Sequence, residues 1–247
     1  MTNTFAQAPD RYAAARPRYP DALFTWMAEA CERRNAAWDC ATGNGQAATG
    51  LARFFRHVEA TDISAAQVSQ GFAAANIRYS AQPAERTNFA DASFDLVAVA
   101  QALHWFDYDL FWPEVRRVAR PGALFCAWGY AWFRGPEAVN GLLLDSVARL
   151  VEPYWASNNG ILWRGYRDEE LRFPFARIAT PDLAMEMDWS TRELAAYVRT
   201  WSAFTRAVAD GRGAELEAVL DEAERRLGPS TRHTCRVPLT IIAGWIG

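Results

Sequence analysis

Short apolar runs alternate with segments of helical periodicity from residue 21 to residue 128, and this alternation constrains the fold more than any other feature. The run FDLVAVA at 94–100 is almost continuously apolar, as expected for a central parallel strand covered by helices on both faces. Five runs have the length and composition of strands, at 36–41, 57–62, 77–79, 94–100 and 123–128. The pattern predicts an α/β fold with a doubly wound parallel sheet and right-handed crossovers.

Helix boundaries are also marked in the sequence. Residues 64–67 and 190–193 each fit a capping box, in which a serine and a glutamine or glutamate bond to each other's backbone amides. A helix over 110–120 is expected to stop at Pro121-Gly122, and the spacing of apolar residues over 194–204 predicts another. A later helix is expected to end at Gly228-Pro229, and the terminal segment CRVPLTIIAGWI has a strand pattern.

Residues 131–180 break the alternation, because they are rich in Trp, Tyr, Arg and Gly and show no clean period. We expect a single domain over 1–247. Within it, 10–130 would be a cofactor-binding core, 131–180 an insert or lid, and 181–247 a set of C-terminal helices with a closing strand. A chain of 247 residues is long enough to bury a full hydrophobic core in this arrangement.

The composition excludes several classes of function. Hydrophobic residues make up 51% of the chain and charged residues 22%, and the net charge of −3 gives no electrostatic case for binding nucleic acid. No apolar run is long enough to span a bilayer, and the first residues lack the apolar centre of a secretory signal. We therefore expect a cytoplasmic protein without membrane or nucleic-acid partners, and the sequence leaves its oligomeric state unknown.

Residues that ligate metals or form covalent intermediates are sparse. Four cysteines lie far apart without a C-x-x-C pair, beside only three histidines, so we expect buried thiols and no metal site. All basic side chains are arginines, because the sequence contains no lysine. The missing lysine excludes a Schiff base and the P-loop signature.

The stretch WDCATGNGQAA at 38–48 joins a predicted strand to a predicted helix through a glycine turn. Gly43, Gly45 and Ala48 fit the pattern G-x-G-x-x-G/A, which lets backbone amides approach a polar or anionic ligand. Asp62 ends the next strand, where a carboxylate can accept both hydroxyls of a ribose. A plain connecting turn and a plain turn aspartate are the alternatives, and the joint spacing disfavours them.

Ligands of open parallel sheets bind at the carboxyl ends of the strands. The glycine turn, Asp62, the segment around Glu85 and residues 101–105 all follow predicted strands. We therefore expect these four regions to be neighbours in space.

The stretches WDCATGNGQ, ATDIS, PAER to FADASFDLVAVAQALHWF, and RPGALFCAW resemble, in order and spacing, the class I S-adenosylmethionine-dependent methyltransferases. The resemblance covers residues 10–130. YAAARPRYP at 12–20 and QALHW at 101–105 are similar to the trans-aconitate methyltransferase-like branch. The resemblance implies a Rossmann-like, mostly parallel sheet of seven strands with a helical or irregular insert over the substrate. It also implies S-adenosylmethionine as cofactor and a small molecule as methyl acceptor.

The resemblance further implies which residues bind the cofactor. Asp39 would lie near its ammonium group, with the loop residues Ala41, Gly43 and Gly45 near its methionine moiety. Gln67 would either contact the cofactor or only close the capping box with Ser64. The other implied contacts are Asp62 to the ribose, Ile63 against the adenine, Ala84 and Glu85 at the adenine edge, Gln101 and Ala102 near the methionyl part, and Tyr12 and Arg16 over its carboxylate.

Two positions depart from the pattern of the family. Ala41 replaces the first glycine, which we expect to be tolerated only if its backbone stays in the ordinary φ/ψ regions. Pro83 stands where many members carry an acid for the adenine amino group. Glu85 would then substitute for that acid, or the contact would be missing.

The acceptor side is less constrained. His104 is a candidate general base, with a structural loop histidine as the alternative. Methyl transfer is an in-line displacement from a positively charged sulfur, so a base is needed only where the acceptor must lose a proton. A carboxylate acceptor would need none.

Aromatic residues gather in and just before the irregular segment, at Trp105, Trp128, Tyr130, Trp132, Trp155, Trp163 and Tyr166. Trp105 and Tyr130 are candidate substrate-binding residues, with simple packing as the alternative. Arg134 and Arg164 stand among them, and an arginine fork can hold a carboxylate bidentately. This predicts O-methylation of a small carboxylic acid.

Two other functions remain open from the sequence. The first is an NAD-dependent oxidoreductase, because the glycine turn and Asp62 satisfy much of the dinucleotide fingerprint. Asp39 before the glycines and the lack of an evident hydride-transfer group count against it. The second is a non-catalytic protein that binds S-adenosylmethionine and uses the aromatic segment to contact a partner.

Overall fold

A computed structural model describes residues 17–247 of the protein. Tyr12 and Arg16 lie outside the described residues. The chain divides into two compact units, which we name the sheet unit (18–130, 160–183 and 239–247) and the helical unit (Pro17, 131–159 and 184–238). The interval 131–180, expected as one insert, contributes to both units. The single-domain organisation stays a prediction.

The sheet unit contains seven strands in the order β3-β2-β1-β4-β5-β9-β6. The first five in this order pair in parallel, whereas β9 runs antiparallel to both β5 and β6. Their bounds are β1 (Ala36–Cys40), β2 (His57–Asp62), β3 (Ile77–Ala81), β4 (Phe94–Ala100), β5 (Ala119–Gly129), β6 (Ala176–Arg177) and β9 (Thr240–Ile246). The expected Rossmann-like, mostly parallel sheet of seven strands is confirmed.

Apolar layers cover both faces of this sheet. Alternate residues of β4 point to opposite sides, so that Val97 and Val99 join one buried cluster and Leu96 and Ala98 join the other. All seven residues of β4 except Ala100 are buried. The near-continuous apolar run of this strand therefore reflects burial on both faces, as the sequence predicted.

The helices of the sheet unit are short. They are α1 (Asp21–Ala30), α2 (Gln46–Leu51), α3 (Ala65–Val68), α4 (Tyr108–Val118), α7 (Asn159–Trp163) and α8 (Asp168–Leu171). Helix α4 ends at Val118 rather than at the expected residue 120, and Pro121-Gly122 lies inside β5. Because a residue before proline disfavours helical dihedrals, Arg120 is already extended, and the chain enters the strand two residues earlier than expected.

The helical unit pairs β7 (Ala184–Ser190) with β8 (Arg232–Pro238) in a two-stranded antiparallel sheet. Its helices are α5 (Glu137–Val139), α6 (Asp145–Val151), α9 (Thr191–Arg199), α10 (Ser202–Ala207) and α11 (Gly213–Leu227). The capping box at Ser190 and Glu193 is present in full. The helix expected over 194–204 is interrupted, because the chain is extended at Trp201 between α9 and α10.

The terminal segment CRVPLTIIAGWI forms two strands rather than one. Its first part ends β8, whose residues alternate between exposed and buried, and its second part is β9 in the large sheet. Pro238 ends β8, and a proline cannot donate a backbone hydrogen bond that would continue a ladder. All four cysteines are buried free thiols, as expected. Within residues 17–247, no helix combines the length and apolarity needed to cross a membrane.

Candidate functional site

The carboxyl ends of four strands of the sheet unit lie side by side. Cys40 at the end of β1 pairs with Thr61 of β2 and with Val99 of β4. At the end of β4, Ala100 pairs with Trp128 of β5. The segments that leave β1, β2, β4 and β5 therefore start from one edge of the sheet, where ligands of this type of fold bind.

Asp39 is the most unusual polar residue at this edge. Its side chain is fully buried, and Oδ2 accepts a hydrogen bond of 2.5 Å from the hydroxyl of Thr42. Oδ1 is also buried, and no donor among the described residues reaches it with hydrogen-bond geometry, although the backbone amide of Ala48 lies close enough to the carboxyl group to lower its pKa. Burial raises the pKa of Asp39 to about 7, against the opposing effects of the Thr42 hydroxyl and the Ala48 backbone amide. A buried carboxylate oxygen without a donor is unfavourable, and a cationic ligand group would complete it.

The two glycines of the turn serve different purposes. Both have a left-handed backbone, with φ of 58° at Gly43 and 89° at Gly45. A Cβ atom on Gly43 would meet no described atom within 4 Å, so this side of the loop is open. A Cβ atom on Gly45 would lie 2.1 Å from the hydroxyl oxygen of Tyr79. Gly43 therefore leaves room for a ligand, whereas Gly45 makes room for a side chain of the protein.

Ala41 does not have the ordinary backbone on which we expected tolerance of this replacement to depend. Its φ is 56°, in the left-handed region that favours glycine. The amide of Thr42, in the next peptide unit, donates to the carbonyl of Thr61 at 2.8 Å, so the segment after Ala41 stays bound to the end of β2. The family's glycine is thus replaced by a strained alanine, at a cost of about 1 kcal/mol.

Asp62 is bound to the glycine turn. Its Oδ2 accepts from the amide of Gly43 at 3.0 Å, and its Oδ1 accepts from the amide of Ser64 at 2.8 Å. Each oxygen keeps a second acceptor position, because an ionised carboxylate has about four lone-pair sites. Ile63 is 80% exposed and offers an apolar surface beside the carboxylate. The amide of Gln67 donates to the Ser64 hydroxyl at 3.4 Å, which places Gln67 in the cap of α3.

Ala84 and Glu85 lie in the loop between β3 and β4. Ala84 is buried in the same apolar cluster as Ala102 and Leu103, which follow β4. Glu85 accepts from the amide of Asp107 at 3.2 Å through Oε1. The structure thus brings the predicted adenine-edge segment against the segment that follows β4.

Gln101 ties the end of β4 to the end of β5. Its side-chain amide donates to the carbonyl of Tyr130 at 2.8 Å, and its Oε1 accepts from the amide of Tyr130 at 2.7 Å. Gln101 also has a left-handed backbone, with φ of 59°. Its side chain therefore aligns Tyr130, one of the predicted substrate-binding residues, rather than extending away from the sheet. Tyr130 itself is buried.

His104 is buried, with 3% of its surface exposed. Its Nδ1 lies 3.0 Å from the hydroxyl oxygen of Tyr166, and burial lowers the pKa of His104 to about 4. The imidazole is therefore neutral at physiological pH. Tyr166 has a φ of 54°, and Trp105 beside the histidine is 40% exposed.

Both predicted arginines have acidic partners. Arg164 in the sheet unit donates to Oε1 of Glu170 through Nε at 2.7 Å. Arg134 in the helical unit is paired with Asp145 at 3.7 Å and forms a backbone bridge with Arg236. Each of the two guanidinium groups therefore already has an acidic counterion in the structure.

Sequence reasoning missed Thr42 and Tyr79 and gave no site role to Tyr166. Thr42 could have been found, because a threonine three residues after a buried aspartate is well placed to bond it. The contact of Tyr79 with Gly45 could not, because it depends on how the chain between α3 and β3 folds. Within residues 17–247, no cluster of three His, Cys, Asp or Glu side chains could hold a metal ion.

A comparison with known protein families matches the part of the chain that contains this candidate site. Residues 38–127 match the family model described as a methyltransferase domain. The match begins one residue before Asp39 and ends in β5, so it contains the glycine turn, Asp62 and residues 101–105.

The relatives that match this chain, over its whole length or over part of it, are methyltransferases by description. The solved structure of a candidate type II methyltransferase from Anaeromyxobacter dehalogenans is 38% identical, covers 94% of this chain and 98% of its own, and has a TM-score of 0.85. A candidate methyltransferase from Dictyostelium discoideum is 26% identical over 214 residues, which are 84% of this chain and 80% of that protein. An uncharacterized methyltransferase from Mycobacterium tuberculosis is 34% identical over 129 residues, 49% of this chain and 50% of its own.

Proposed function

This chain belongs to the class I S-adenosylmethionine-dependent methyltransferases, and we propose that its acceptor is a small molecule, with a small carboxylic acid as the candidate class. The observation that carries the acceptor class is the state of His104, which is buried with a pKa lowered to about 4. Such a histidine is a weak base, and the sequence contains no lysine. An acceptor that needs no deprotonation suits this site best.

We propose the cofactor contacts from the site geometry and the resemblance together. Asp39 fits the ammonium group, because its free buried oxygen would gain a charged donor. The open side of Gly43 leaves room for the methionine moiety, and Asp62 with Ile63 fits the ribose and adenine. The further proposed contacts are Ala41, Gly45, Gln67, Ala84, Glu85, Gln101 and Ala102. Tyr12 and Arg16 stay predictions, as they lie outside the described residues.

The cofactor supplies a methyl group on a positively charged sulfur, which is already a good leaving group. The protein therefore has to orient the acceptor and exclude water, and well-oriented reactions gain effective molarities of about 10⁵ M or more. The Gln101 side chain fixes Tyr130 at the end of β5. We propose that Tyr130 and Trp105 form part of the acceptor wall.

Arg164 is the proposed carboxylate-binding residue of the sheet unit. Its guanidinium is held by Glu170 through Nε and Nη2, both on one carboxylate oxygen. A substrate carboxylate would have to share this guanidinium with Glu170. Replacement of Arg164 by alanine should raise KM for a carboxylic acid without changing the affinity for S-adenosylhomocysteine. Arg134, which belongs to the helical unit, stays a predicted carboxylate contact, and Arg134→Ala would test it in the same assay.

A product screen with labelled S-adenosylmethionine tests the acceptor class. Small di- and tricarboxylic acids, alcohols and amines would be compared, with trans-aconitate included because the branch assignment stays a prediction. Methyl ester formation with an acid is the expected result. Transfer only to alcohols or amines would overturn the proposal and make a base necessary.

The role of His104 as a general base also stays a prediction. With a carboxylate acceptor, His104→Gln should leave kcat within about twofold, because no proton has to be removed. A loss of about 10²-fold or more in kcat would instead assign the base role to His104. The comparisons give no support to the oxidoreductase alternative, and stabilisation of the protein by NAD in a thermal shift assay is not expected.

A further inference from the structure

The β3–β4 loop (82–93) contains no helix or strand, although it carries two of the proposed adenine contacts. A loop of this kind loses conformational entropy when it is ordered on a ligand, unless the protein orders it beforehand. Helix α4 and the segment just before it contact this loop at several points.

Glu114 of α4 holds the middle of the loop. Its Oε1 accepts from the amide of Thr87 at 2.7 Å and from the Thr87 hydroxyl at 2.6 Å. The side chain of Glu114 is almost completely buried. Burial alone would raise the pKa of Glu114, but the bonds from Arg117 and Thr87 outweigh it and hold the pKa below its usual range. Glu114 therefore stays ionised and keeps its strength as an acceptor.

Arg117, one turn later on α4, completes the attachment. Its Nη1 donates to the carbonyl of Phe89 at 2.6 Å and to Asp91 at 2.8 Å. Its Nε and Nη2 donate to Glu114 at 2.9 and 2.7 Å. One guanidinium thus bonds to the loop backbone, to a loop side chain and to the carboxylate that holds Thr87.

The start of the loop is fixed separately. Glu85 accepts from the amide of Asp107, which is the N-cap residue of α4. The backbone amide of Asn88 donates to the side-chain Oε1 of Gln82 at 2.8 Å, so two parts of the loop are bonded to each other. Residues at both ends of α4 therefore bond to the β3–β4 loop, which carries Ala84 and Glu85.

We propose that Arg117 and Glu114 are positioning residues that hold the β3–β4 loop in the conformation that binds the adenosine part of S-adenosylmethionine. The proposal rests on the proposed cofactor contacts at Ala84 and Glu85. Neither residue is proposed to touch the cofactor. They act through Thr87, Phe89 and Asp91, so their loss would release the loop and leave the glycine turn unchanged.

The chain offers a matched pair of arginines for the test. Arg116 precedes Arg117 on the same helix, but its described contacts go elsewhere: Nη2 donates to the carbonyl of Pro174 at 3.2 Å, and the guanidinium lies over the ring of Phe175. Arg117→Met and Arg116→Met remove the same charge and keep a similar apolar stem. Only the first should loosen the β3–β4 loop.

Binding would be measured by calorimetry with two probes, S-adenosylhomocysteine and 5′-methylthioadenosine. The second contains the adenosine part but lacks the amino-acid end. Arg117→Met should raise Kd for both probes by about tenfold, and Arg116→Met by less than about twofold. Asp39→Asn should weaken the first probe and leave the second unchanged.

Hydrogen exchange and kinetics separate positioning from general damage. Amides of residues 82–93 should exchange faster in Arg117→Met, while those of β1 and β4 keep their protection. In turnover assays KM for S-adenosylmethionine should rise with kcat unchanged at saturation. Thr87→Val, which removes only the hydroxyl contacts, should weaken both probes by about threefold and serves if Arg117→Met does not fold.

The outcomes are distinct. The positioning role is wrong if both probes bind and the two arginine variants change Kd alike. It is also wrong if Arg117→Met weakens the binding of S-adenosylhomocysteine alone. In both cases the proposed cofactor contacts stand. If neither probe binds the unaltered protein, or if 5′-methylthioadenosine binds equally well after Ile63→Asp, the proposed adenosine contacts themselves are wrong.

Discussion

Two buried aspartates lie on neighbouring strands of the same sheet and have opposite surroundings. Asp95 is near the amino end of β4, where its side chain accepts from the amides of Asn35 and Ala36 and from Arg120. Asp39 is near the carboxyl end of β1, where Thr42 bonds one oxygen and the other has no partner among the described residues. At one edge of the sheet both oxygens of the aspartate accept hydrogen bonds, whereas at the other edge one oxygen lacks a hydrogen-bond donor.

The pKa values of the two carboxyl groups follow from this difference. Burial would raise both, but at Asp95 the bonds from Arg120 and the two amides outweigh burial and lower the pKa. At Asp39 burial dominates and the pKa rises to about 7. A carboxylate with a full set of donors supports the fold, whereas one that lacks a donor weakens the ligand-free protein, and the proposed ammonium contact would supply that donor. The contrast supports the proposed role of Asp39 by an argument that is independent of the relatives.

The largest expected effect is on Asp95. Asp95→Asn should lower the free energy of unfolding at pH 7 by about 3 kcal/mol, because it removes the charge facing Arg120 and turns an amide donor toward backbone donors. Chemical denaturation would measure the change. A loss below about 1 kcal/mol would show that these contacts are not supporting the fold.

The same substitution at Asp39 should act in the opposite direction on stability. The folded pKa of about 7 lies above the value of an unfolded aspartate. Stability from this group is therefore present at low pH and is lost as the pH rises through 7. At pH 8 Asp39→Asn should stabilise the ligand-free protein by about 1 kcal/mol and weaken S-adenosylhomocysteine binding by about 100-fold. If Asp39→Asn instead destabilised the protein as much as Asp95→Asn does, the two carboxyl groups would not differ in their contribution to stability.

The pH dependence of S-adenosylhomocysteine binding tests whether ionised Asp39 is required. A cation requires ionised Asp39, so protons compete with the ligand below pH 7. Kd for S-adenosylhomocysteine should rise from pH 8 to pH 6, approaching about tenfold per pH unit below the pKa of Asp39. The variant Asp39→Asn is the control, and its Kd should show a much flatter profile. An equal slope in both proteins would assign the proton to another group.

The sequence indicated much of this sheet because parallel strands buried on both faces have a recognisable composition, as β4 shows. It also placed Asp39 and Asp62 at strand ends, because the strands themselves could be located. It did not show that the terminal segment divides at Pro238 between two sheets, since both halves have strand composition. Which partner a strand selects depends on the tertiary packing.

The details of the site were harder to predict because they depend on contacts distant in sequence. The number of hydrogen bonds that the Asp39 carboxyl group accepts depends on which amides and hydroxyls reach it. The sequence pattern around the glycines does not indicate which groups these are. The separate reasons for Gly43 and Gly45 appear only once Tyr79 is in place. Gln101 was assigned to the cofactor by resemblance, and its bonds to Tyr130 became visible only in the structure.

The smallest expected effect concerns Ala41, which does not meet the condition of an ordinary backbone that we set for its replacing glycine. Ala41→Gly should raise the free energy of unfolding by about 1 kcal/mol, because glycine adopts a φ of 56° without strain. Ala47→Gly, in the first turn of α2, is the control and should lower stability by about 1 kcal/mol. Denaturation midpoints of the two variants should therefore move apart around that of the unaltered protein. If Ala41→Gly also destabilised the protein, the left-handed backbone of Ala41 at the end of β1 would not be strained.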